Sequence, residues 1–135
     1  FKNVHRDMVV ILSGSPSDEP HIAKLRKHLD DHKILYREHV SSAHKKTRQV
    51  LQILESYENA GRRVVYITVA GRSNALSGVV ACNTKFPVIA CPPFKDKDDM
   101  MVNINSTLQM PSKVPVMTIL EPENVAMSIS RIFKF

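Results

Sequence analysis

The chain is 135 residues long, 43% hydrophobic and 24% charged, ordinary usage for one globular domain, which excludes disorder, collagen and coiled coil. Lys and Arg outnumber Asp and Glu by 19 to 13, giving a formal charge of +6 that favours anionic partners, but the cations are scattered and Trp is absent, which argues against nucleic acid and suits a small phosphorylated ligand. The longest apolar runs, such as residues 8–12, fall far short of the about 20 residues that cross a bilayer, and the polar opening does not resemble a secretory leader.

Short β-branched apolar runs alternate with stretches of helical spacing. Residues 8–13 read as the first strand. Ile22, Leu25 and Leu29 follow at helical spacing in a segment opened by Asp18, Glu19 and Pro20, where carboxylates and an early proline favour a helix start. Residues 34–40 read as the second strand. Val50, Leu51, Leu54 and Tyr57 then put an apolar stripe on a helix that stops near Gly61. Residues 64–70 are almost wholly apolar, as a central parallel strand covered on both faces requires. A short helix over 74–82 and a strand over 87–91 follow, the strand ended by Pro92 and Pro93. Residues 95–99 read as a solvated loop rather than a lid. Helix four carries Met101, Ile104 and Leu108, a fifth strand spans 114–120, and Pro122 opens a last helix with Val125, Ile129 and Phe133 inward.

Five strand-helix repeats joined by right-handed crossovers define an α/β three-layer sandwich around a mainly parallel sheet. A flavodoxin-like order, 2-1-3-4-5, is the expected topology, in a single domain over 1–135. In such folds a ligand sits beyond the carboxyl ends of the strands, where neighbouring crossovers leave on opposite faces. The segments leaving strands one, two and three are then 14–18, 41–45 and 71–74, all small and polar.

Gly14, Ser15, Ser17 and Asp18 place hydroxyls and backbone amides at a helix amino terminus, which favours a phosphate. The spacing matches neither a Walker loop nor a three-glycine dinucleotide fingerprint. Asp18 suits ribose hydroxyls, with helix capping as the alternative. His44 lies among Ser41, Ser42 and Lys45, and imidazole exchanges protons near neutrality, so it is preferred as the catalytic histidine over His5, His21, His28, His32 and His39. His28 and His32 are four apart but lack a third ligand, and no metal site is expected. Arg72 follows an apolar strand and needs an anion or a structural carboxylate partner. Cys82 and Cys91 are nine apart, which suits neither a redox pair nor a zinc knuckle. Reduced, buried thiols in a cytoplasmic protein are expected.

Five blocks together, Gly14-Ser15-Pro16-Ser17-Asp18, Ser42-Ala43-His44-Lys45, Ala70-Gly71-Arg72-Ser73-Asn74-Ala75-Leu76-Ser77-Gly78, Cys91-Pro92-Pro93 and Gln109-Met110-Pro111, resemble the aminoimidazole ribonucleotide carboxylases of purine biosynthesis. The resemblance covers nearly the whole chain. Lys45 after the histidine and the Gly71-Arg72-Ser73-Asn74 run look like class II, which uses carbon dioxide directly, whereas the class I mutases carry Arg after the histidine and a glycine-alanine-histidine run in the third block.

The resemblance implies a reversible reaction without biotin, ATP or metal, in which carbon 4 of the aminoimidazole attacks carbon dioxide. It implies His44 as general base, and as acid in reverse. It also implies Ser15, Ser17, Ser42 and Lys45 around phosphate and ribose, Asp18 on the ribose hydroxyls, Arg72 and Ser73 toward the carboxylate, and small Ala70, Gly71 and Ala75 leaving room. A homo-oligomer, tetramer or octamer, is implied, with no nucleic-acid or membrane partner. The chain stops before the C-terminal helical tail usual in the family, and in animals the domain is fused to a second purine enzyme. The alternatives are the class I mutase reaction and a non-catalytic nucleotide-binding module.

Overall fold

A computed structural model describes residues 7–72 and 74–135; His5 and Ser73 lie outside the described residues. Strands β1 (Asp7–Ser13), β2 (Tyr36–Val40), β3 (Arg63–Val69), β4 (Val88–Ala90) and β5 (Met117–Thr118) alternate with helices α1 (Glu19–Asp31), α2 (Thr47–Glu58), α3 (Ala75–Cys82), α4 (Lys97–Leu108) and α5 (Pro122–Ile132). The sheet order is β2-β1-β3-β4-β5 and every pairing is parallel. The expected flavodoxin-like topology is therefore the observed one.

Period-two alternation divides β1 between two cores. Val9 and Ile11 join Leu25, Leu29, Val125 and Ile129 of α1 and α5 on one face, while Val10 and Leu12 join Val50, Leu54 and Val80 of α2 and α3 on the other. Strand β3 is buried on both faces from Val64 to Val69, which is why its sequence is almost wholly apolar. The paired register of Ser13 with Val40 and with Val69 brings the ends of β1, β2 and β3 level. Their exit loops consequently start side by side.

Several expectations need correction. Strand β5 is two residues long, not seven, because Pro111 and Pro115 flank a turn through Lys113 at φ 66° and the chain meets β4 only at the end of that stretch. The segment read as a solvated loop over 95–99 instead caps α4: Asp96 is the N-cap and accepts from the Asp99 amide at 2.8 Å, and the Asp99 carboxylate accepts from the Lys95 amide at 3.0 Å. Helix α4 also turns the opposite way from its apolar stripe. Asn103 and Thr107 are buried, whereas Met101 and Leu108 are 51% and 61% exposed, because the inner face joins a polar seam with Asn74 and Ser77. Leu51 on α2 is exposed too. Cys91 is buried as expected, but Cys82, at the end of α3, is exposed. Among the described residues no helix is long and apolar enough to cross a membrane.

Candidate active site

The loop after β1 is short and internally bonded. Ser15 is extended and caps a 3-10 turn over Pro16–Asp18, its Oγ accepting from the Ser17 amide at 3.2 Å, while the Ser15 and Ser17 hydroxyls lie 2.9 Å apart. Pro16 takes the first position of that turn, where its missing N–H is not needed. The loop after β2 closes through Ser42, whose Oγ accepts from the Lys45 amide at 3.2 Å and whose carbonyl accepts from the Lys46 amide at 2.8 Å. The Thr47 hydroxyl donates to the Ala43 carbonyl. These bonds hold His44 at the apex of the turn. The loop after β3 ends at Asn74, which caps α3 by accepting from the Ser77 amide at 3.1 Å.

All three loops meet around one cavity of about 290 Å³, lined by Gly14, Ser15, Ser17 and Asp18, by Ser42 and His44, and by Gly71 and Arg72, with Ala70 and Ala75 completing the wall. His44 and the 14–18 turn, remote in sequence, thus face the same cavity. Lys45 is exposed beside the turn and does not line the cavity. Arg72 is 75% exposed and meets the Asp99 carboxylate at 3.8 Å, so the structural partner considered from the sequence exists, but it is a loose, solvated one. Asp18 makes no side-chain capping bond, which removes capping as its alternative role. Partial burial pushes its carboxyl pKa up, opposed by a backbone bond at Ser15.

A second, larger cavity of about 910 Å³ adjoins the first and shares Ser17, Asp18, Gly71 and Arg72 with it. Its wall adds His21, Phe94 and Asn103, which the sequence reading did not select. His21 follows Asp18 by one helical turn, a spacing that puts both on one side of α1, so a signal existed. Asn103 gave none. The His21 Nε2 lies 3.1 Å from the Cys91 carbonyl and 3.3 Å from its Sγ, and burial lowers the imidazole pKa, partly countered by that carbonyl. Burial pushes the Cys91 thiol up to about 12, helped by Glu121, so it is a protonated donor, 3.6 Å from the Leu120 carbonyl. His28 lies 3.9 Å from Asp31, and among the described residues no three His, Cys, Asp or Glu side chains gather as a metal site.

A parallel α/β sheet with a hydroxyl-lined crevice at the carboxyl ends of β1, β2 and β3, beside a loop histidine, has the architecture of proteins that take a small molecule at the switch point. The AIR carboxylase family model matches residues 8–135. A phosphoribosylaminoimidazole carboxylase from Archaeoglobus fulgidus is 46% identical over 92% of this chain and 67% of its own length. A bifunctional phosphoribosylaminoimidazole carboxylase/phosphoribosylaminoimidazole succinocarboxamide synthetase from Homo sapiens is 40% identical over 98% of this chain and 31% of its own length. The crystal structure of Treponema denticola PurE superposes with a TM-score of 0.89 at 43% identity, covering 96% of this chain and 81% of that one. The chain belongs to the AIR carboxylase family. It is therefore an enzyme, a carboxylase.

Proposed function

We propose that this carboxylase adds carbon dioxide directly to carbon 4 of aminoimidazole ribonucleotide, giving 4-carboxy-5-aminoimidazole ribonucleotide. The observation that carries the reading is the convergence of the 14–18, 42–44 and 70–72 segments on one cavity. In the forward reaction the ring's enamine-like carbon donates an electron pair to carbon dioxide. A carbon-carbon bond forms, one carbon-oxygen π bond breaks to leave a carboxylate, and the proton on carbon 4 passes to His44 as the ring regains aromaticity. Decarboxylation reverses each step, with His44 as acid. Ser15, Ser17 and Ser42 offer hydroxyls to phosphate and ribose, Lys45 adds a cation at the rim, and Asp18 accepts from ribose hydroxyls. Arg72 and Ser73 take the carboxylate end. Carbon dioxide carries no net charge to grip, so much of the catalysis lies in holding it against the ring, where ordering contributes several kcal/mol. The small Ala70, Gly71 and Ala75 leave the room for this.

Lys45 and the Gly71-Arg72 pair favour the carbon dioxide reaction over the class I mutase. Following ultraviolet absorbance with aminoimidazole ribonucleotide and bicarbonate, without ATP, tests the choice. Absorbance should change with that pair and stay flat with the mutase substrate. Reaction of the mutase substrate alone overturns the carbon dioxide reading, and binding without turnover of either makes the chain a nucleotide-binding module. The reading takes residues 1–135 as one catalytic domain working in the cytoplasm as a homo-oligomer, tetramer or octamer. Met101 and Leu108, seven apart and exposed on one face of α4, support the association, since exposed apolar patches mark interfaces.

A further inference from the structure

Asn103 lies on the inner face of α4 and is 2% exposed. Its Nδ2 donates to the Pro93 carbonyl at 2.6 Å, but its Oδ1 is buried without a hydrogen-bond partner. The seam around it is otherwise well paired. The Asn74 Nδ2 donates to Ser77 Oγ at 2.8 Å and to Thr107 Oγ1 at 3.0 Å, the Ser77 and Thr68 hydroxyls are 2.7 Å apart, and the Thr107 hydroxyl donates to the Asn103 carbonyl at 2.9 Å. A buried open acceptor is costly, and native proteins hold few of them. Asn103 lines the larger cavity, which adjoins the catalytic crevice at Gly71 and Arg72. A Cβ added at Gly71 would stand 3.7 Å from Nδ2 and 3.9 Å from Oδ1 of Asn103, so the Gly71 backbone faces the carboxamide across a gap about one methyl group wide. One turn earlier the same helix meets Arg72 through Asp99. Gly71 and Arg72 line both cavities.

We infer that Asn103 is a positioning residue for carboxylation: in the ligand-bound protein its Oδ1 accepts an N–H of the Gly71–Arg72 turn and seats that turn against the bound ribonucleotide. The inference rests on the carboxylase reading above. A bound anion competes with Asp99 for the exposed Arg72 guanidinium, and a turn drawn toward the ligand exchanges a solvated ion pair for a buried hydrogen bond. Because Oδ1 is already desolvated in the free protein, that bond adds to ligand affinity instead of offsetting a new desolvation cost.

Asn103→Leu, of similar volume and without polar atoms, tests the role. The free variant should melt at or above the wild-type temperature, since an open acceptor is gone and the Pro93 carbonyl on the cavity wall can turn to water. Its KM for aminoimidazole ribonucleotide should rise about tenfold, with the pH profile of kcat unchanged. Calorimetric titration with the ribonucleotide separates the two possible failures. A wild type that neither binds nor turns it over sinks the carboxylase reading, and this inference with it. A wild type that binds, beside an Asn103→Leu variant of equal affinity and KM, overturns the positioning role alone, whatever the melting temperature. Should that variant not fold, Asn103→Ala decides, since it removes Oδ1 without adding bulk to the site: a roughly tenfold rise in KM with an unchanged pH profile of kcat supports the role, and a wild-type KM overturns it.

Discussion

His44 sits at the apex of a turn whose shape depends on Ser42 and Thr47, not on the imidazole, so replacing the ring should leave the cavity standing. His44→Asn is expected to bind aminoimidazole ribonucleotide normally by calorimetry while losing at least about a hundredfold in turnover, the scale of a general acid-base group. Near-normal turnover would remove His44 from the proton transfer. Arg72 is a different case, because its contact with Asp99 is long and exposed and contributes little to the fold. Arg72→Ala should therefore keep its melting temperature and lose about 1.5 to 3 kcal/mol in kcat/KM if the guanidinium bonds the substrate. Unchanged kcat/KM would make it a surface ion pair.

At the scale of elements, α1 ends in a Schellman motif: the Lys33 amide donates to the Asp30 carbonyl at 2.9 Å and the Ile34 amide to the Leu29 carbonyl at 3.0 Å. Lys33 holds φ 57°, a left-handed conformation that a side chain disfavours and glycine takes freely. Lys33→Gly should raise unfolding free energy by about 1 kcal/mol, read as a shift of the denaturant midpoint at constant slope. A drop would mean that the lysine side chain matters more than its backbone strain. Helices α1, α2 and α5 were legible because their buried residues are apolar at helical spacing, such as Ile22, Leu25 and Leu29. Helix α4 was legible as a helix but not in its orientation. Its inner face is chosen by the hydrogen-bonding needs of Asn74 and the Pro93 carbonyl, and hydrophobic periodicity carries no record of such partners.

Across the whole molecule, the three loops of the candidate site were readable because strand order and register fix where they emerge, and both follow from alternation in β1 and from the apolar run of β3. The second cavity was not, since it forms between α1 and the start of α4, elements remote in sequence that no local pattern pairs. Global stability should carry a histidine signature. Burial lowers the pKa of both His21 and His39 from 6.5, so between their folded values and 6.5 the unfolded chain holds more protons than the native one. Stability then rises with pH through that window, is complete above it, and falls as the pH drops below 6.5. Asp18, raised above 3.8, acts in the opposite sense in its own, more acid window. Denaturant midpoints at pH 7.5 and 5.5 should differ accordingly, with His21→Gln flattening the difference; an unchanged slope in that variant would discount His21. The sheet's two outer strands set a limit of another kind. β5 offers only Met117 and Thr118 for pairing, and β2 carries the exposed, charged Arg37 and Glu38, a short rim and a charged one, each of which discourages strand addition. In the proposed homo-oligomer these rims leave contact between copies to helices and loops, rather than to a ribbon of sheet carried on from one molecule into the next.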